Sequence, residues 1–150
     1  MIKIYIFADA MKHFNDAVKE YDKRLGRNCK IIKLKPVKKG TPAQIIEAET
    51  KILKEKIEKE NAYKVILAPG GESLNTFAFH KLIEDNKQIY PHIIFCIGGA
   101  YGLNYDALKL ITNKFLTLSG FILPHALALT ILLEQVYRAM MIEKGSDYHK

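Results

Sequence analysis

The chain has 150 residues, 49% of them apolar and 26% charged, which argues for one globular domain over 1–150 that folds without disulfide or metal staples. No apolar run approaches the roughly 20 residues needed to cross a bilayer, so no membrane partner is expected. The formal charge of +7, from 23 basic against 16 acidic side chains, points to an anionic partner, most commonly nucleic acid, although a solubility charge accounts for the excess equally well.

The opening IKIYIFA, residues 2–8, is β-branched and aromatic and predicts a strand. It is too short for a signal sequence, and Asp9 interrupts it. Over 11–25, Phe14, Val18, Tyr21 and Leu25 recur at helical spacing, and Gly26 ends the helix. A second strand is predicted at 30–35. Thr41-Pro42 then opens a long helix, with threonine as N-cap and proline at the first helical position. Its apolar stripe is Ile45, Ile46, Ile52, Leu53 and Ile57. Pairs such as Glu47–Lys51 and Glu55–Lys59 are expected on the solvated face.

A third strand, YKVILA at 63–68, runs into the turn PGGES, and a helix follows from about 75 to 86. The fourth strand, HIIFCI at 92–97, is apolar without alternation, as in the centre of a parallel sheet covered on both faces. The stretch GGAYG follows, then a short helix around 105–111. The fifth strand is predicted at 114–119. Pro124 opens a last helix to about Lys144, and Gly145 stops it. Strand and helix alternate about five times, which predicts an α/β domain with a mostly parallel sheet and helices on both faces. The two cysteines, Cys29 and Cys96, are far apart, and Cys96 lies in an apolar run. This usage suits a reducing cytoplasm, and no metal site is expected.

Ligands of open α/β sheets sit beyond the carboxyl ends of the strands. Here the third, fourth and fifth strands end in PGGES, GGAYG and LSGFILP, turns that let backbone approach backbone or ligand closely. Neither the G-x-G-x-x-G dinucleotide pattern nor the Walker A pattern is present. The LSGFIL segment offers backbone amides, one hydroxyl and apolar side chains. A pocket built from it suits an adenine ring, a ribose and a thioether better than a triphosphate. The same glycines also serve tight strand-to-helix turns, a reading of equal weight for GGAYG alone. The last helix carries ALALTILL at 126–133, apolar almost all round. A terminal helix covers the sheet with one face only, so its other face predicts a two-fold homodimer.

Four motifs together, IGGAYGL at 97–103, LSGFILPH at 118–125, LLEQVYRA at 132–139 and the terminal YHK at 148–150, resemble the ribosomal RNA large subunit methyltransferase H (RlmH) family. The likeness covers essentially the whole chain. It implies a SPOUT-class methyltransferase that uses S-adenosylmethionine, whose sheet carries a C-terminal trefoil knot and which acts as a homodimer. The implied substrate is a pseudouridine of large-subunit ribosomal RNA within the assembled ribosome, methylated to 3-methylpseudouridine in the cytoplasm. By position, the cofactor would touch Leu67, Gly98, Leu118, Ser119, Gly120, Phe121, Ile122 and Leu123. The tail residues Tyr148 and His149 would accept or relay the target's proton or hold the base, with Lys150 on the RNA.

Arg138, placed near the pocket end of the last helix, is either an RNA contact or the ion-pair partner of Glu134. His125 is expected to orient the loop rather than catalyse. The chain departs from the family's usual pattern at Asp9-Ala10, at Ala68-Pro69-Gly70-Gly71 and at Leu129, where many members carry arginine. Two competing readings are a methyltransferase of the same class acting on transfer RNA or another RNA site, and a non-catalytic RNA-binding assembly module.

Overall fold

The computed structural model describes residues 1–150. Five strands, β1 (Ile2–Phe7), β2 (Cys29–Leu34), β3 (Ala62–Ser73), β4 (His92–Ile97) and β5 (Lys114–Thr117), form one sheet in the order β2-β1-β4-β3-β5. Every pairing is parallel, so each connection has to cross a face of the sheet. The helices α1 (Asn15–Leu25), α2 (Pro42–Ile57), α3 (Thr76–Lys87) and α4 (Tyr105–Leu108) make those four crossings, and α5 (His125–Glu143) follows the last strand. No helix is long and apolar enough to cross a membrane.

Strand alternation divides the core into two layers. Ile4, Ile6, Val65, Ile93 and Phe95 point to one face and pack with Val18 of α1, Phe79 and Leu82 of α3, and Leu129, Leu132, Leu133 and Val136 of α5. Tyr5, Phe7, Ile66, Ile94 and Cys96 point to the other, beneath Leu53 and Ile57 of α2 and Leu108 of α4. β4 therefore needs apolar residues at every position. Cys29 and Cys96 are buried free thiols, and burial pushes Cys29 up to about 12.

The signals that open α2 act as expected. Thr41 accepts from the Gln44 backbone N–H at 3.2 Å, and the Gln44 side chain accepts from the Thr41 N–H at 2.9 Å, a complete capping box. The pairs expected on its outer face do not form; Glu47 instead accepts from Asn104 at 2.7 Å. Other differences are local. A single 3₁₀ turn at Lys12–Phe14 precedes α1, and α4 ends in another at Lys109–Ile111.

The largest difference concerns PGGES, which continues β3 rather than ending it. Leu67 and Glu72 both register with Leu116, so residues 68–71 step out of the ladder and return to it. Gly70 makes the step at φ +75°, and Gly71 packs its Cα onto the backbone of β5.

Candidate active site

β4, β3 and β5 are neighbours in the sheet, so the turns beyond them open side by side at one edge. They enclose a cavity of about 850 Å³. Its wall comes from the β3 excursion, the β4 loop and the segment after β5, closed by Tyr105, His125 and Ala128. Leu67, Gly98, Leu118, Ser119, Gly120, Phe121, Ile122 and Leu123 all line it. No lysine, arginine, aspartate or glutamate does. A cavity of this size and polarity holds a neutral ring system with a few directed hydrogen bonds.

Those hydrogen bonds come from the segment 118–124. Ser119 is used internally: its carbonyl accepts from Thr117 at 2.8 Å, and its hydroxyl accepts from the Phe121 N–H at 2.9 Å. The N–H groups of Gly120, Ile122 and Leu123 have no partner within the chain, which leaves them for a ligand. Phe121 and Ile122 are 85% and 96% exposed, an apolar pair at the cavity mouth.

The glycines of the β4 loop serve internal packing first. The Gly102 N–H donates to the Gly99 carbonyl at 3.1 Å, and Gly102 holds φ +77°. A Cβ on Gly98 would meet the Leu103 side chain at 3.0 Å, and one on Gly99 would meet Glu49 Oε1 at 2.5 Å. The loop is thus clamped from outside by α2. Glu49 is 2% exposed. Its Oε2 accepts from the Val37 N–H at 3.0 Å, while Oε1 has no partner. Beside it, Thr50 accepts from the Asn104 N–H at 2.9 Å. The signal for this clamp lay in the sequence: Glu49 sits midway between Ile45 and Leu53 on the buried stripe of α2, where a carboxylate is out of place.

Burial raises the Glu49 carboxyl above its usual value, only partly opposed by the Val37 hydrogen bond. The folded state therefore binds this proton more tightly than the unfolded chain. Stability falls as pH rises from the ordinary carboxylate range through the raised folded value. Glu49→Gln keeps the acceptor for Val37 and removes the charge. We expect a flatter stability profile above the ordinary carboxylate range of about pH 4, with a neutral-pH melting temperature at or above wild type. Thermal melts above that range check it.

The tail folds back on α5, away from the cavity. Arg138 donates through Nε to Glu134 at 2.8 Å, and its Nη1 lies 3.1 Å from His149 Nδ1. Tyr148 donates to the same Glu134 oxygen at 3.2 Å and lies 3.3 Å from the Tyr21 hydroxyl. Its ring packs edge-on to Tyr137, and His149 packs edge-on to Phe77. The tail is thus ordered by a network rather than frayed. Burial and the Tyr21 and Glu134 oxygens raise the Tyr148 phenol well above the ordinary tyrosine range. It therefore stays a proton donor. A guanidinium can only donate, so His149 Nδ1 is an acceptor and Nε2 carries the hydrogen.

Arg138 is not near the cavity end of its helix. At about 1.5 Å per residue it lies roughly 20 Å along the axis from His125. Within one chain the Tyr148, His149 and Arg138 cluster and the cavity are separate. Lys150 is exposed beyond the cluster. His125 lines the cavity. Leu129, at the position of the absent arginine, is fully buried in the core.

Comparison with known proteins gives the family. A family model described as predicted SPOUT methyltransferase matches residues 1–149. The ribosomal RNA large subunit methyltransferase H of Clostridium beijerinckii is 37% identical over 148 aligned positions, spanning 93% of this chain and 92% of the relative. Its namesakes from Streptococcus sanguinis and Lactobacillus acidophilus are each 36% identical with the same coverage. Among solved structures, the SpoU methyltransferase AviRb of Streptomyces viridochromogenes, in complex with its cofactor AdoMet, covers 94% of this chain and 58% of its own at 10% identity. The TM-score is 0.48. The match along the whole chain, together with the cavity at the three rim turns, places this chain in the SPOUT methyltransferase family, among the ribosomal RNA large subunit methyltransferase H proteins.

Proposed function

We propose that the protein transfers a methyl group from S-adenosylmethionine to N3 of a pseudouridine in large-subunit ribosomal RNA, as a homodimer acting on the assembled ribosome in the cytoplasm. The observation that carries this reading is the uncharged cavity bounded by the turns after β3, β4 and β5, in a chain of this family. The residues present fit the cofactor. The N–H groups of Gly120, Ile122 and Leu123 are without partners and supply directed donors for a purine edge. Leu67, Leu118 and Leu123 give the ring apolar walls, and Gly98 forms part of the wall beside them.

When bound, the cofactor supplies a methyl carbon already activated by its sulfonium, so the chain's main task is positioning. The N3 imide first gives up its proton to solvent water, the anion's charge spreads onto the flanking carbonyl oxygens, and the nitrogen then takes the methyl group with a neutral thioether as leaving group. Tyr148 is a donor, and His149 Nδ1 is engaged by Arg138. This arrangement suits the tail to holding the base through the His149 Nε2–H, a donor aimed at developing charge, rather than to taking the proton itself.

The homodimer resolves the distance between tail and cavity. Leu127, Ile131, Glu134 and Arg138 follow i, i+4, i+7, i+11 spacing and share one outward stripe of α5. Packing two such stripes antiparallel about a two-fold axis sets the Arg138 end of one helix beside the His125 end of the other. Each tail then reaches the partner's cavity, and the exposed Phe121 and Ile122 are covered. The trefoil knot belongs to the same proposal. From β5 at the sheet edge, the segment 118–124 must cross the neighbouring turns to reach α5, which packs against α1 and α3 over β1 and β4.

The test is transfer of labelled methyl from S-adenosylmethionine to ribosomes from cells lacking this gene, with the product mapped by mass spectrometry. One methylated pseudouridine in large-subunit RNA is expected. Label on transfer RNA alone, or none, contradicts the proposal.

A further inference from the structure

The carboxyl rim of the sheet is divided by charge. Its β4-β3-β5 half is the uncharged cavity. Its other half, beyond β1 and β2, carries Lys12, Lys35, Lys38 and Lys39, all exposed. The one acidic side chain in these two loops is Asp9, which pairs with Lys38 at 2.7 Å and so ties the β1 loop to the β2 loop. Lys35 also lies near enough to act on the Asp9 carboxylate. Lys12, Lys35 and Lys39 form no ion pair. Lys12 holds φ +42° and is the only non-glycine residue with positive φ.

The basic half is fastened to the cavity. Glu49 accepts from the Val37 N–H at 3.0 Å, at the centre of the lysine loop, and its other oxygen presses on Gly99 of the cavity wall. One buried side chain thus sets the lysine loop and the glycine loop against each other. Glu47 is the other nearby acid, and it is held by Asn104. Lysines on an exposed edge strand guard against unwanted pairing, which accounts for Lys30 and Lys33 on β2. It does not account for Lys35, Lys38 and Lys39, which lie past the end of that strand.

We propose that the loop Lys35–Lys39, with Lys12, is a phosphate track: it binds the RNA backbone flanking the target nucleotide while the base enters the cavity beside it. Compact ammonium groups on an exposed loop fix the register of a polyanion and read no sequence. The proposal rests on the RNA-methyltransferase reading for the identity of the polyanion. It names a part of the surface that neither the cavity nor the tail supplies.

The test compares wild type, the triple variant Lys35→Ala/Lys38→Ala/Lys39→Ala and Asp9→Asn. Binding to unmethylated ribosomes is titrated from about 50 to 300 mM KCl, and S-adenosylmethionine affinity is measured separately. Each phosphate contact contributes about 0.7 to the slope of log affinity against log salt on single-stranded RNA. The triple variant should therefore show a slope shallower by about 2 and, near 100 mM salt, an affinity at least about tenfold weaker, with cofactor affinity unchanged. Asp9→Asn releases Lys38 and should tighten ribosome binding; this arm holds even if the triple variant folds poorly. Unchanged slopes in both variants overturn the proposal. So does a loss seen on ribosomes but not on a protein-free RNA stem-loop, which would assign the loop to a ribosomal protein. Wild type that binds with a steep salt slope yet transfers no methyl would sink the catalytic reading and leave the track standing.

Discussion

Replacing Gly71 with alanine is expected to lower the stability of the fold by about 3 kcal/mol, the upper part of the range for overpacking a site that cannot relax. A Cβ at this position would meet the Leu116 carbonyl carbon at 2.7 Å, the Leu116 nitrogen at 2.8 Å and the Phe115 carbonyl carbon at 2.9 Å. All three are backbone atoms of β5, so no side-chain rotation relieves the contact. The ladder between β3 and β5 must part where the 68–71 excursion rejoins it, and that excursion is one wall of the cavity. Cofactor affinity should fall with stability. In a domain of this size the melting temperature should drop by roughly 6–12 °C. Gly120→Ala is the comparison: a Cβ there meets nothing within 4 Å, and stability should stay within about 0.5 kcal/mol of wild type. Equal losses in the two variants, measured by denaturant unfolding, would refute the account of Gly71.

Removing Tyr148, His149 and Lys150 should reduce methyl transfer at least about 100-fold, the lower part of the range for losing a donor aimed at developing charge. Cofactor affinity should change less than about twofold, since the proposal gives the three residues the target base to hold and leaves the cofactor to the rim turns. His149→Ala should reproduce most of the loss. Tyr148→Phe keeps the edge-on contact with Tyr137 and the Arg138 guanidinium over the ring, and it should be mild. Mixed dimers locate the tail's action. A truncated chain paired with a chain blocked by Gly120→Trp regains one complete site if each tail serves the partner's cavity. It regains none if each tail serves its own. Full transfer by the truncated homodimer would contradict any role for the tail.

Much of this layout was legible in the residues themselves. The unbroken apolar run of HIIFCI required a central strand covered on both faces. Thr41-Pro42 marked the start of α2 to the residue. The three glycine-bearing turns located the cavity edge, because strand ends in a parallel sheet all point one way. The course of 68–73 was not legible. Two glycines remove the steric preferences that would reveal it, and pairing with β5, far along the chain, decides it. Glu49 was passed over: its misfit on the buried stripe of α2 was a signal, but its partners Val37 and Gly99 come together only through the tertiary fold. The separation of Arg138 from the cavity follows from helical rise, whereas the place proposed for it beside a partner's cavity depends on a surface that one chain does not contain.

The central claim is that the three rim turns form the seat of the methyl donor, and backbone amide shifts on a titration with S-adenosylmethionine test it most directly. The account predicts saturable shifts centred on Leu67, Gly98 and Leu118–Leu123. Shifts centred on the opposite edge of the sheet, around the smaller cavity near His92 and Glu143, or no shifts at all, would contradict it.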